Sequence, residues 1–353
     1  MNLRMSWRTA CGRAAVPLGG VAVFALLAAG FFLANGYAPL DIFAQIAQGA
    51  FGSALSINTT LSKTLPILLC ALATALPARM GLISVGAEGQ LYFGALAGTA
   101  AVLQLASASR PELLPAALLL TLVGGAAWGA LPGLLRAWLG VNETIVTILM
   151  NYLGIQLVEY FVYGPWKDAA NLGWPATIAF PEAARLPRLA AGPLSSNWGL
   201  LLALLLALVL HLLARRSRWG AALALLRSNP RVARMGGLSH ARHAVGVMAL
   251  AGAMAGLAGY VQTANVQHHL QPDISSGYGY VGFLVAWLAG QDFLRIVPLA
   301  VVMGGLLSAA DALQLFAQLP FANTVVLQAL LFISVLGVGA WRARRAGLRG
   351  EPA

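Results

Sequence analysis

Charged residues are scarce in this chain. They make up 9% of its 353 residues, where about a quarter is usual in soluble domains, and 59% of the residues are hydrophobic. The mean hydropathy is +0.77. This balance excludes an ordinary water-soluble domain, and we predict an integral membrane protein.

Cysteine and lysine are scarce too, and the positions of the few that occur exclude several chemistries. Cys11 and Cys70 have no disulfide or metal-ligand spacing. The only lysines, Lys63 and Lys167, follow serine and tryptophan, so the chain carries no Walker A motif, in which lysine follows glycine. Neither HExxH nor GxSxG occurs. We therefore predict no catalytic residue, no metal site and no cofactor in this chain, which is not expected to be an enzyme.

The apolar segments predict an all-α membrane protein with about ten transmembrane helices, some of them interrupted. A spanning helix needs about 20 predominantly apolar residues. One domain covering residues 1–353 is expected, although the segment at 278–290 is short. The predicted spans are 16–34, 64–79, 81–105, 113–139, 143–163, 198–214, 244–264, 278–290, 296–315 and 323–341.

The basic residues set the predicted orientation. With both termini in the cytoplasm, seventeen of the 22 Lys and Arg residues fall on the inner side, as the positive-inside rule requires. The net charge of +11 is spread over the loops between spans, so topology explains it better than nucleic-acid binding. The five basic residues outside are Lys63, Arg110, Lys167, Arg185 and Arg188.

Two long polar loops separate predicted spans. Residues 164–197 begin with "GPWKD" and are rich in proline, which predicts an irregular extracytoplasmic loop. This loop is either a spacer or a docking surface for an extracytoplasmic partner. Residues 215–242 form the predicted cytoplasmic loop, which is rich in arginine and has no acidic residue.

The cytoplasmic loop encodes a very short helix within "SNPRVARMGG". Asn229 suits the N-cap, Pro230 suits the first helical position, and Gly236 or Gly237 can end the helix. Because so short a helix is marginal alone in water, it is expected to rest on its own membrane domain or on another protein.

Glu88 is a carboxylate predicted to lie near the middle of the membrane. It follows Arg79 by nine residues, or about 13 Å of helix. Polar residues within spans are costly in lipid and usually face an interior cavity. Glycines around Glu88 and the prolines Pro66 and Pro77 in the preceding span favour interrupted helices.

A second polar set lies in "VNETIVTILMNY". Thr144, Thr147 and Asn151 share one helical face, while Asn142 suits the helix cap and Glu143 its positive end. Asn151, well inside the span, is the expected lining residue. The residues predicted to form the polar core or translocation path are Glu88, Gln90, Thr144, Thr147 and Asn151.

Two glycine patterns favour close packing. Gly252, Gly256 and Gly259 in "GAMAGLAG" have the spacing of small residues at helix crossings in lipid. The GxGxxG pattern in "GYGYVG" opens a membrane segment instead of following a strand in a βαβ unit. We therefore interpret it as a bend or a close contact and not as a nucleotide site.

Taken together, these stretches resemble the permease subunits of bacterial ABC importers for nucleosides and simple sugars, the branch served by basic-membrane-protein-type binding lipoproteins. The matching pieces occur in family order between about residues 60 and 310. Ser84 departs from the asparagine expected in the first piece. The pieces are "GLISVGAEGQ", "VNETIVTILMNYL" with "GPWKD", "SNPRVARMGGL", "AGAMAGLAGYVQ" and "GYGYVGFLVAWLAG".

The resemblance implies a location in the bacterial inner membrane and three protein partners. These are an ATPase with two nucleotide-binding domains, a second and usually non-identical permease, and an extracytoplasmic substrate-binding lipoprotein. ATP and Mg²⁺ would be bound by the ATPase, and the solute would be a nucleoside or related sugar. The resemblance assigns coupling to that ATPase to the helix around 229–236, through Asn229, Pro230, Arg231, Ala233, Arg234 and Gly236.

The residues are also compatible with two other functions. The chain could be a secondary transporter driven by an ion gradient, with Glu88 as a proton or cation site. It could also be a membrane scaffold in which the polar residues only join helices. The first would transport without ATP, and the second would not transport at all.

Overall fold

The structure, a computed structural model, describes residues 3–105, 109–170, 173–191, 194–316 and 320–348. Helices account for most of this part of the chain, which confirms a multi-pass helical fold. The helices are α1 (Leu3–Ala34), α2 (Pro39–Phe51), α3 (Ala54–Ala78), α4 (Ala87–Gln104), α5 (Arg110–Leu139), α6 (Glu143–Tyr163), α7 (Trp198–Arg216), α8 (Arg218–Ser228), α9 (Pro230–Met235), α10 (His240–Val261), α11 (Tyr278–Leu288), α12 (Phe293–Phe316) and α13 (Phe321–Leu348). Two antiparallel strands, β1 (Arg188–Ala191) and β2 (Leu194–Asn197), pair between α6 and α7.

Seven helices of the described chain are long and apolar enough to cross a membrane: α3, α5, α6, α7, α10, α12 and α13. An eighth span arises if α1 and α2 are counted as one bent pair. The two other predicted spans correspond to α4, which carries a glutamate and two glutamines in 18 residues, and to α11, which has 11 residues. The count of ten, and the location of the termini, therefore stay predictions.

Helix α2 was not predicted from the sequence. The chain bends by 116° between Gly19–Ala34 and α2, across a turn in which Gly36 adopts φ +81°. Pro39 occupies the first helical turn and Asp41 adds a favourable negative charge near the positive end. With only 13 residues, α2 is too short for a search based on span length to find.

The chain divides into two compact units, and each is described separately. The first contains Met1–Thr60 and Gly305–Ala353, the second Leu61–Gly304. In the first unit α1 packs closely on α13, because a Cβ on Gly20 would lie 2.8 Å from the Val335 Cα. The prediction of one domain spanning 1–353 stays a prediction.

The core of the second unit is a crossing of α4, α5 and α10 at glycines. A Cβ on Gly252 would lie 2.0 Å from the Gly125 carbonyl oxygen, and one on Gly259 would lie 2.0 Å from that of Leu91. Gly256 lies against Gly94, because a Cβ on Gly94 would be 2.1 Å from the Gly256 Cα. Gly252 and Gly259 thus lie at backbone contacts that no larger residue would permit, and Gly256 lies at a close one, where its own Cβ would be 3.1 Å from the Gly125 Cα.

Part of the loop at 164–197, between Thr177 and Ala184, packs against other segments of the second unit. Thr177 N–H donates to the Leu270 carbonyl (2.9 Å), and the Thr177 hydroxyl accepts from Leu270 N–H (3.0 Å). The Tyr260 hydroxyl of α10 donates to the Ala184 carbonyl at 2.6 Å. Phe180 is buried in the same cluster. Backbone and side-chain contacts therefore hold this part of the loop against the chain.

Candidate functional site

The predicted third span is broken, because its first six residues are not helical. Residues 81–86 carry no regular structure, and α4 begins only at Ala87. Gly81 adopts φ +84°, a left-handed conformation that glycine reaches without steric cost. Irregular backbone at membrane depth requires hydrogen-bond partners from neighbouring protein, since lipid supplies none.

One face of α6 supplies those partners to the start of the irregular segment. The Ile83 N–H donates to Glu143 Oε1 (3.2 Å), and the Thr144 hydroxyl donates to the Ile83 carbonyl (3.0 Å). Two residues on, the Val85 N–H donates to the Thr147 hydroxyl (3.2 Å). These residues share one side of the helix, as their spacing predicted, and that side binds backbone.

Asn151 completes the series at the beginning of α4. Its Oδ1 accepts from Gly89 N–H at 2.8 Å, and its Nδ2 donates to the Val85 carbonyl at 2.9 Å. Gly89 N–H is one of the first helical donors, which have no partner inside their own helix. Gly89 and Gly154 allow this contact, since a Cβ on Gly89 would lie 2.7 Å from the Met150 carbonyl oxygen. The Asn151 side chain is fully buried and ties α6 to the break.

Glu88 lies where two helices begin. It is in the first turn of α4, is 2% exposed, and its Oε2 accepts from Gly279 N–H of α11 at 2.6 Å. The Ser275 side chain and the Tyr280 N–H also interact with this carboxylate. Helix N-termini favour negative charge, so Glu88 caps α11 from across the fold.

Gly279 permits this arrangement. A Cβ there would lie 2.3 Å from the Glu88 nitrogen, and one on Gly282 would lie 2.7 Å from the Cys70 Cβ. Gly277 precedes α11 with φ +80°. The glycines of "GYGYVG" thus serve a bend and close packing, as the sequence indicated.

The remaining predicted residues, Glu143, Gln90 and Asn142, lie around the same break. Glu143, which is 6% exposed, forms an ion pair with Arg136 at the end of α5. Gln90 is buried in α4, next to Gly89. Asn142 caps α6 by accepting from Thr144 N–H at 2.9 Å.

The predicted cytoplasmic loop forms two helices, α8 and α9. Asn229 caps α9 by accepting from Val232 N–H at 3.2 Å, with Pro230 as its first residue. Gly237 adopts φ +79°, and Leu238 N–H donates to the Ala233 carbonyl (3.0 Å), which is a Schellman end. Helix α9 therefore begins and ends at the capping residues that the sequence predicted.

The side chains of α9 divide into an anchored one and exposed ones. Ala233 is fully buried, whereas Val232 is 47% and Met235 88% exposed. Arg231 and Arg234 are exposed as well. Helix α9 thus presents apolar and basic groups together on one short surface element.

Charged groups also meet just before α12. Asp292 Oδ1 lies 3.6 Å from His211 Nδ1, and its Oδ2 lies 3.8 Å from Arg215. Burial alone would raise the pKa of Asp292, but the N–H groups of Leu294 and Arg295 and the nearby positive charges hold that pKa below its usual range. The carboxylate therefore stays ionised at the start of α12.

The sequence did not reveal the partners of these groups. Glu88 and Gly279 are 191 residues apart, and no local pattern links them. Gly125 and Gly129 of α5, which meet Gly252, were also missed. A small-xxx-small spacing in "GGAAWG" was the available signal.

Apolar spanning helices around a buried, broken span define a multi-pass membrane protein with a polar core. Residues 56–336 match the family described as the permease component of branched-chain amino acid transport systems. Because the match covers most of the chain, the protein belongs to this family, which confirms the resemblance stated above.

Three relatives match the chain over nearly its whole length. The glucose ABC transporter permease protein of Haloferax volcanii is 28% identical over 95% of this chain and 88% of its own. The guanosine ABC transporter permease protein of Bacillus subtilis is 29% identical over 91% and 92%. The nucleoside ABC transporter permease protein of Lactococcus lactis is 27% identical over 90% and 89%.

Proposed function

We propose that this chain is the translocation subunit of an ABC importer that moves a nucleoside or a related simple sugar into the cell. The observation that carries the proposal is the near full-length similarity to permeases named for guanosine, nucleosides and glucose. The chain itself would contribute no catalysis. A partner ATPase with two nucleotide-binding domains would bind ATP and Mg²⁺, and the complex would sit in a bacterial inner membrane.

The complex would contain two other partners. A second, non-identical permease would complete the path, and an extracytoplasmic binding lipoprotein would deliver the solute. A docking role of the loop at 164–197 is supported by its packing between Thr177 and Ala184 and by its exposed apolar groups, with Trp174 56% and Ile178 45% exposed. A solute screen on the binding lipoprotein that copurifies with this chain would identify the compound.

Helix α9 is the proposed contact with the ATPase. Its two capped ends and the buried Ala233 stabilise this short helix, and Val232 and Met235 give it an apolar contact surface. Movement of α9 on ATP binding and hydrolysis would shift the subunit between outward-open and inward-open states. The free energy of ATP hydrolysis would thus be transmitted through α9, and the membrane helices would form the translocation path.

Reversing the charges on α9 is expected to weaken the complex. Arg231→Glu combined with Arg234→Glu should reduce ATPase copurification about tenfold or more, because charged contacts at an interface each contribute on the order of 1 kcal/mol. The measurement is the ATPase-to-permease ratio after affinity purification. Arg216→Glu with Arg218→Glu is the matched control, since both arginines are exposed in the same loop. Equal copurification of the two double variants would refute the role of α9.

The main alternative is an ion-driven secondary transporter that uses Glu88 as its coupling site. In the structure the Glu88 carboxylate caps α11, and this contact favours an anchoring role.

Substitution of Glu88 separates an anchor from a coupling site. Glu88→Gln keeps an oxygen acceptor for Gly279 N–H and should retain most uptake, whereas Glu88→Ala leaves that donor unpaired, at a cost of about 1–3 kcal/mol, and should reduce uptake strongly. Uptake in cells, normalised to the amount of membrane-inserted protein, measures this. Loss of transport in Glu88→Gln with normal insertion would favour the ion-coupled alternative, because glutamine cannot titrate.

A further inference from the structure

The outward side of α6 carries polar side chains that the broken span does not use. We name them the α6 stripe: Tyr152, Gln156, Glu159 and Tyr163. Their spacing of four, three and four residues places them within about 60° of arc at about 100° per residue. Tyr152 is 62% and Tyr163 60% exposed, Gln156 is exposed and Glu159 is half-buried. The buried face of α6, with Thr147 and Asn151, lies on the other side of the helix.

This exposure conflicts with a purely lipid-facing location. Helix α6 is long enough to cross a membrane, and Gln156 lies seven residues, about 10 Å, before its end at Tyr163. Amide and carboxylate groups in hydrocarbon are costly and normally face protein or a water-filled cavity. Tyr163 alone would suit the aromatic belt at a membrane interface. Tyr152 and Gln156 lie too deep for that explanation.

The groups within the second unit do not satisfy the stripe. The side chains of Gln156 and Glu159 form no hydrogen bond with any residue that the structure describes. By contrast, Glu88 and Asn151 have their polar atoms engaged by backbone groups. Glu88 and Asn151 therefore hold backbone groups of the fold, whereas the amide of Gln156 and the carboxylate of Glu159 have hydrogen-bonding capacity left for another molecule.

The chemistry of the stripe suits a ring-bearing, hydroxylated solute. An amide and a carboxylate together accept and donate hydrogen bonds to neighbouring hydroxyls. Tyrosine rings offer flat surfaces on which a base or a sugar ring can stack. Tyr280 of α11 lies beside the buried face of α6 and is not counted in the stripe: it is 38% exposed, and its hydroxyl lies 3.5 Å from Asn151 Nδ2.

We propose that the α6 stripe is this subunit's wall of the translocation path. Gln156 and Glu159 bind hydroxyl groups of the passing solute, and Tyr152 contacts its ring. The location of the wall is argued from depth and exposure, whereas the class of solute rests on the proposed function. The two parts are therefore tested by different measurements.

Accessibility to a water-soluble thiol reagent tests the location of the wall. In a background with Cys11→Ala and Cys70→Ala, we would introduce Gln156→Cys, Tyr152→Cys or, as the control, Leu205→Cys. Leu205 is 55% exposed near the middle of α7. The assembled transporter in proteoliposomes is then treated with a charged, membrane-impermeant methanethiosulfonate.

The stripe positions should react about tenfold faster than the control, because the reactive thiolate forms in water and not in lipid. Reaction of Gln156→Cys and Tyr152→Cys as slow as that of Leu205→Cys would overturn the proposal. This result does not depend on which solute is transported, so it stands apart from failure of the proposed function.

Uptake kinetics test solute contact. With radiolabelled guanosine or glucose, Gln156→Leu and Glu159→Leu should each raise KM about tenfold, the equivalent of one lost hydrogen bond to the solute. Leu153→Ala, at a 57% exposed apolar position of the same helix, is the control and should leave KM unchanged. Copurification of the ATPase confirms assembly of each variant.

An unchanged KM in both variants would overturn the solute contact. Fast thiol modification without uptake of either compound would support the wall and count against the proposed solute class. Slow modification in a transporter that does import guanosine or glucose would reject the wall alone.

Discussion

Gly252→Leu is expected to abolish accumulation of folded protein in the membrane. A Cβ at this position would lie 2.0 Å from the Gly125 carbonyl oxygen and 2.9 Å from the Gly129 Cα. Both contacts are with backbone, so α5 and α10 would have to separate along their crossing. Overpacking of this kind costs roughly 3 kcal/mol or more, a large part of the stability of an ordinary domain.

The same helix offers a matched control. Gly246 is exposed on α10, and a Cβ there would meet nothing within 4 Å. Gly246→Leu should leave accumulation near normal, because leucine has a better helix propensity than glycine by somewhat under about 1 kcal/mol. Fluorescence-detected size-exclusion chromatography of solubilised membranes measures both variants. A monodisperse Gly252→Leu protein at normal yield would show that the crossing is not as close as described.

Asn151→Leu should be the most damaging change at the broken span. It leaves Gly89 N–H and the Val85 carbonyl without the partner that the buried Asn151 side chain gives them. Each unpaired group costs about 1–3 kcal/mol, so the melting temperature of the variant should fall by about 10 °C, or the protein should fail to accumulate.

A second asparagine on α6 provides the comparison for this loss. Asn142 caps the helix from an exposed position, so Asn142→Ala should cost only about 1 kcal/mol. Thermal melting of the two purified variants gives the difference directly. Equal melting temperatures would mean that the Asn151 side chain does not hold the break.

Local patterns in the sequence predicted local features correctly. The N-cap asparagine, the following proline and the terminal glycines placed α9 to within about a residue. Glycines near residue 81 indicated an interrupted span, and the break is present. These features succeed because capping and left-handed turns depend on a few neighbouring residues.

Features that depend on distant residues could not be predicted. Periodicity placed Thr144, Thr147 and Asn151 on one face, but it could not distinguish a face that lines a cavity from one that binds backbone. The structure shows that this face binds the irregular segment at 83–89. The sequence did not single out the polar groups on the opposite side, such as Gln156. Their exposure in the structure is what makes them candidates for binding.

The energy source of transport is the central claim, and one measurement tests it most directly. The chain is reconstituted in proteoliposomes with its ATPase, second permease and binding lipoprotein, and uptake of radiolabelled guanosine and glucose is followed without any ion gradient. We predict uptake of one of them only when ATP and Mg²⁺ reach the ATPase, with no uptake from a non-hydrolysable analogue. Uptake driven by a proton or sodium gradient in the absence of ATP would contradict the account.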